Sequence, residues 1–134
     1  MSAREDRVRE YLDELQQCGA NPSVRGSTLS LTLDGVDIFE SQRNFIRVRY
    51  NRPYPAYGPD GRATEIPVKS ELIAYQNNDK VNIAYVTLYD IKDKEKEGYH
   101  VIPQKDVGSV EIPGKLTNDF KFSNGRLTIN IDLS

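Results

Sequence analysis

From Leu29 onward, apolar residues recur at every second position in several separate runs, and that period is the tightest constraint on the fold. Leu29, Leu31 and Leu33 alternate with Ser30 and Thr32, and Leu127, Ile129, Ile131 and Leu133 do the same near the other end. Period two places one set of side chains on one face of a strand. Asp34-Gly35 follows the first run and Asn124-Gly125 precedes the second. Two-residue loops of this kind favour type I′ hairpin turns. Pairing outward sets Leu33 opposite Val36 and Leu31 opposite Ile38. At the other end Phe122 falls opposite Leu127 and Phe120 opposite Ile129. Each hairpin then has one apolar face.

Between them, Ile66–Tyr75 and Val81–Ile91 read as strands around a polar turn, Gln76 to Lys80. In Val81 to Tyr89 both alternating sets are largely apolar, the pattern of a central strand covered on both sides. Pro67 cannot donate to a ladder and belongs at a strand start or edge. The run Lys92 to Glu97, with balanced signs, predicts a solvated hairpin tip. Tyr99–Ile102 and Val107–Ile112 complete the strands. Ahead of all this, residues 2–18 predict an amphipathic helix, with Ser2 and Glu5 at capping-box spacing and Val8, Leu12 and Leu15 on one stripe. Gly19 and Asn21-Pro22 stop it, and Cys18 reads as a small core residue near its end.

The expected fold is α+β: one N-terminal helix packed on a curled antiparallel sheet or half-open barrel of about eight strands. The 134 residues make a single domain, 1–134, with the helix at 2–18 and antiparallel β structure over 28–133. The net charge of −2 is far from that of a dedicated duplex-DNA binder. One cysteine allows no internal disulfide, which suits a reducing compartment. The charged start SAREDRVRE lacks the apolar region of a signal peptide, and no apolar run approaches the ~18–20 residues of a membrane helix. A cytoplasmic protein without membrane contact is expected.

One stretch stands apart. Arg43 to Arg62 holds five arginines and four aromatic rings against a single Asp60, so it carries +4 within a chain of −2. Arginine and tyrosine both present flat apolar area with fixed polar tips, which binding surfaces use. Alternation turns Ile46, Val48 and Tyr50 inward and Phe45, Arg47 and Arg49 outward, with Arg43 extending the row. The two guanidiniums then stand roughly 7 Å apart. Three prolines stiffen the following segment into an extended loop bearing Arg52, Tyr54 and Tyr57, and Pro59-Asp60-Gly61 closes it as a turn.

Arg43-x-x-x-Arg47 resembles the arginine motif that opens PilZ domains, small β-barrels that bind cyclic di-GMP. The resemblance covers those five residues. The family's second element, [DN]-x-S-x-x-G, has no counterpart, since Lys92 stands where the serine would be and the next glycine is Gly98.

Chemistry has little to stand on. His100 is the only histidine, so neither a metal set nor a nucleophile–base pair is recognisable. Carboxylates such as Glu71 and Asp90 are placed by no motif, and no glycine-rich loop opens a helix. The reading is therefore a non-enzymatic protein-interaction module, an adaptor, accessory or inhibitor. It requires no cofactor and binds a partner of acidic or mixed surface through Arg43, Phe45, Arg47, Arg49, Arg52, Tyr54 and Tyr57. The alternatives are a nucleotide or single-stranded nucleic acid at the same arginines, or a small enzyme with a pocket near His100.

Overall fold

The computed structural model describes residues 3–89 and 92–133, with side chains from Val8 onward. Helix α1 spans Ala3–Gln17. Ser2 and the Glu5 side chain, the expected capping pair, lie outside the described residues. Leu15 is wholly buried, and Tyr11 and Leu12 pack against the same core. The helix ends in a Schellman motif: the Gly19 N–H bonds the Gln16 carbonyl at 3.1 Å and the Ala20 N–H bonds that of Leu15 at 3.0 Å. Gly19 has φ +80°, and a Cβ there would stand 3.0 Å from Pro53 Cδ and 3.2 Å from Arg52 Cγ. Glycine is thus required twice over, by its dihedral and by its neighbours.

Eleven strands follow among the described residues: β1 Pro22–Arg25, β2 Thr28–Leu33, β3 Ile38–Gln42, β4 Phe45–Tyr57, β5 Ala63–Asn77, β6 Lys80–Thr87, β7 His100–Val101, β8 Val107–Pro113, β9 Lys115–Leu116, β10 Lys121–Ser123 and β11 Arg126–Asp132. A short helix, α2, Lys92–Lys96, precedes β7. The strands form two antiparallel sheets. One runs β1-β2-β11-β10 with β9 on β11, and the other runs β3-β4-β5-β6-β8 with β7 on β4. Inward residues of both meet in one core, including Leu31 and Ile129 from the first sheet and Ile46, Leu72 and Ile83 from the second. The sheets do not close into a barrel. Helix α1 touches both β8 and β1, an edge of each sheet, so it covers the seam between them.

The Asn124-Gly125 hairpin forms as the turn chemistry predicts, with Phe122 opposite Leu127 and φ of 53° and 75° at the two turn residues. Its ladder begins at Lys121, so Phe120 packs on the core without a strand partner. The β5–β6 hairpin also forms, turning at Asn78-Asp79. Asp34-Gly35 does not make a hairpin. Leu33 pairs with Leu127 of β11 and Leu31 with Pro22 of β1, leaving β2 no free edge for β3. Residues 34–37 instead turn a corner from one sheet to the other. The Val36 N–H bonds the Gly125 carbonyl and the Asp37 N–H that of Arg49, at 2.9 and 3.1 Å. Both arrangements bury the same leucines, so the alternating pattern does not separate them. The expected tip at Lys92–Glu97 is α2, and β7 beyond it pairs with β4 rather than β6.

Strands β4 and β5 form one long arm in which every residue from Phe45 to Tyr57 has a partner. Pro53 faces Pro67 across that ladder. The Asn51 N–H points away from β5, to the Asp34 carbonyl. Pro53 and Pro55 lie two and four residues on, so their missing donors fall on that same outer side. The near half of the arm covers the main core. The far half has a smaller one of Tyr54, Ile66 and Val68 against Tyr89, Tyr99 and Val101.

Side-chain hydrogen bonds pin α1 to this body. Tyr50 Oη donates to the Cys18 carbonyl, and Tyr85 Oη to Glu14 Oε1, each at 2.6 Å. The Tyr85 hydroxyl, then the Lys105 ammonium 2.9 Å away, holds the Glu14 carboxyl below its ordinary value. Stabilisation from this group is therefore present above the ordinary glutamate pKa of ~4.3 and lost as pH falls through the lower folded value. Urea midpoints measured from about pH 7 to about pH 3 should fall less steeply on the acid side for Glu14→Gln than for the wild type. Gly19→Ala should lose about 1–2 kcal/mol in the same denaturation at neutral pH, the cost of a left-handed alanine, with further loss from the Pro53 contact.

Candidate functional site

Ladder partners share a face, so the outward side of the six-stranded sheet can be written row by row. Arg49 is level with Ile38, Glu71, Val86 and Val107, and Arg47 with Glu40, Ile73, Ala84 and Ser109. Phe45 is level with Gln42, Tyr75, Asn82 and Glu111. As alternation predicts, Ile46, Val48 and Tyr50 are buried and Arg47 and Arg49 exposed. Arg43 is exposed in the Arg43-Asn44 turn that joins β3 to β4, where Asn44 takes φ 64°.

The arginines do not stand free. Arg47 Nε donates to Glu71 Oε1, and its Nη1 lies 3.5 Å from Glu40 Oε1. These carboxylates, Glu71 first, hold its guanidinium more firmly protonated than usual. Arg49 Nε lies 3.9 Å from the same Glu71 oxygen. Glu71 is thus the hub of the row, its side chain only 14% exposed. Farther along, Lys69 pairs with Asp37 and Lys80 with Glu111. Four cations and four carboxylates therefore pair across the face, with Arg43 exposed at its border.

Two shallow clefts meet at Glu71. One of about 280 Å³ is lined by Ile38, Phe39, Glu40, Arg47, Arg49 and Glu71. The other, about 410 Å³, runs over Ile73, Ala84, Val86 and Val107. Ile38 is 62% exposed and Val107 66%. Strand β6, flanked by β5 and β8, was expected to be covered on both sides, and its outward Ala84 is exposed. The apolar character of that outer side was readable in Val81–Tyr89, but its openness was not.

Arg52 and Tyr54 are corrections. Strand β4 runs straight through Pro53 and Pro55, so the expected loop is ladder and both side chains follow Tyr50 inward. Arg52 is 1% exposed and Tyr54 fully buried. Arg52 Nη1 donates to Thr87 Oγ1 at 2.8 Å and to the Lys105 carbonyl at 3.0 Å, while Nε and Nη2 find no partner. Its guanidinium carbon lies 5.0 Å from the centre of the Tyr54 ring, and Asp106 stands 4.0 Å from Nη1. Tyr54 Oη donates to Asp106 at 3.1 Å and accepts from the Gln104 N–H and the Tyr89 hydroxyl. Burial pushes its phenol upward. This cluster joins the two cores, with both side chains below the surface. Tyr57 is exposed but lies eight residues from Arg49, about 26 Å along the strand, where its ring stacks on His100 at 6.4 Å.

His100 is therefore a surface residue on a tyrosine ring. Burial pushes the Cys18 thiol up to about 11, and the thiol donates to the Leu15 carbonyl at 3.3 Å. Glu71 is engaged by arginine, and Asp90 lies outside the described residues. Among the described residues no three of histidine, cysteine, aspartate and glutamate are grouped to hold a metal, and no helix is long and apolar enough to cross a membrane.

Fold and site together define an α+β domain of two facing antiparallel sheets, one of which leaves a mixed apolar and charge-paired face uncovered. Comparison with known proteins finds no matching family model, no matching curated protein and no matching solved structure.

The buried guanidinium yields a test. Arg52→Met keeps the stem and removes an incompletely satisfied charge, so stability should stay within about 1 kcal/mol of the wild type. Arg52→Ala also leaves a cavity and should lose at least about 2 kcal/mol more by denaturant titration.

Proposed function

We propose that this domain is a non-enzymatic protein-interaction module whose docking surface is the outer face of the six-stranded sheet. The observation that carries the reading is an interior strand pair whose outward side is apolar and open. Ile73, Ala84, Val86 and Val107 form one apolar tract across β5, β6 and β8, and Arg49 and Glu71 border it on the side towards Ile38. An apolar centre with a polar rim is the usual anatomy of an interface. Arg43, Phe45, Arg47 and Arg49 remain candidate contacts at one border, whereas Arg52 and Tyr54 leave the set and Tyr57 lies at a separate end.

The charge pattern supports a partner of mixed surface over a nucleotide or nucleic acid. A phosphate would have to compete with Glu71 and Glu40 for Arg47, and the balanced face gives a polyanion no net attraction. The surface position of His100 and the buried, protonated thiol of Cys18 support the non-enzymatic part. A cytoplasmic setting rests on the single reduced cysteine.

Affinity capture from the native host tests this, using wild type, Ala84→Glu and Arg52→Met as baits, with and without nuclease. The partner should persist through nuclease and with Arg52→Met. A charge placed at the centre of the face should weaken it at least ~30-fold, the scale of a hot-spot loss. Undiminished capture by Ala84→Glu, or loss on nuclease treatment, would overturn the reading.

A further inference from the structure

We infer that the occupant of this face is a second copy of the chain, packed sheet on sheet about a two-fold axis along β5. This rests on the docking reading above and names its partner. Strand β5 is the middle strand of the path β3-β4-β5-β6-β8, so a half-turn about it exchanges β4 with β6 and β3 with β8. The row through Arg49 then maps onto itself reversed. Ile38 of one copy falls on Val107 of the other, twice over, and these two are the most exposed large aliphatic residues described.

The next row complements itself too. Arg47, the long side chain, meets Ala84, the smallest outward residue on β6, and Glu40 meets the Ser109 hydroxyl. Near the axis each Glu71 already has Arg47 and Arg49 of its own chain beside it, so two of them can approach. The axis sets Glu71 on Glu71 and Lys69 on Lys69, so shape and the apolar ends carry the contact; ion pairs closed within each chain give a strongly acidic or basic partner no advantage. Homo-oligomers of this isologous kind use one patch on both subunits.

Five strands at ~4.8 Å spacing and about six residues of rise make a footprint roughly 24 Å by 20 Å. Side-chain relief brings the surface hidden per copy towards the ~800 Å² of a standard interface. A reversible dimer with micromolar dissociation is the expected strength.

Sedimentation equilibrium of the full chain, from about 1 μM to about 500 μM, reads it directly. Ile38→Asp and Val107→Lys should each raise the dissociation constant at least ~30-fold. The double variant should regain most of that loss, because the carboxylate introduced in one copy meets the ammonium introduced in the other. Within one chain the two positions are four strand spacings apart, about 19 Å, too far to pair. A dimer indifferent to both single changes, or a double variant as weak as either, overturns the placement.

A second measurement separates the two readings. Gln42→Cys gives an exposed thiol for a photo-crosslinker at the border of the face, level with Glu111 of the second copy, while Cys18 stays buried, and irradiation is compared in pure protein and in host lysate. Adducts of twice the chain mass in the pure protein support the second copy. Adducts only with other proteins sink the second copy and leave the docking face standing. No adduct in either sample sinks both.

Discussion

The ladder between β4 and β5 is the constraint from which the rest of the molecule follows. An unbroken run of paired residues from Phe45 to Tyr57 extends roughly 40 Å at ~3.3 Å per residue. The opposite sheet, whose longest strand is β11 with seven residues, cannot cover such an arm. The near half takes Leu29, Leu31, Ile129 and Ile131 as its apolar partners. The far half must find others, and takes them from the chain between β6 and β8, where Tyr89, Tyr99 and Val101 close over Tyr54. Arg52 sits where the two coverings meet. Its position reads as a junction between separately packed volumes, filled by a long side chain whose charge is only partly satisfied.

Much of this could be read in advance, and the failures have identifiable physical causes. Alternation placed Ile46, Val48 and Tyr50 inward and Arg47 and Arg49 outward, and the same parity continued through Arg52 and Tyr54 would have placed them inward as well. The prolines at 53 and 55 broke that inference because proline is normally excluded from ladders. They are tolerated here because their nitrogens face away from β5, in the gap between β3, which ends its pairing at Arg49, and β7, which begins at Ala56. The Asp34-Gly35 turn failed for a different reason. Its chemistry is local, whereas the choice between hairpin and corner depended on β1 and β11 being available to β2, which no local pattern records.

Charge on the outer face is less free than the arginine count suggested. Glu40 and Glu71 come from strands on either side of β4, and only the register brings them to Arg47. Single-sequence reading has no access to that register, so a row of cations looked available when most of its field is cancelled. What stays available is the apolar ground between the pairs, which the pattern of β6 had announced. Rigid ion pairs around such ground fix side chains that would otherwise lose entropy on docking.

Pro53, Pro55 and Pro67 bear on a matter beyond packing. An arm this long offers backbone groups on which foreign strands could accrete wherever β3, β6 and β7 do not reach its flanks. Removing the donors at those positions interrupts the hydrogen-bond template along both borders of the far half. A strand laid against these stretches of the far half therefore finds fewer donors to pair with, which leaves the arm's own side-chain packing as its main means of contact.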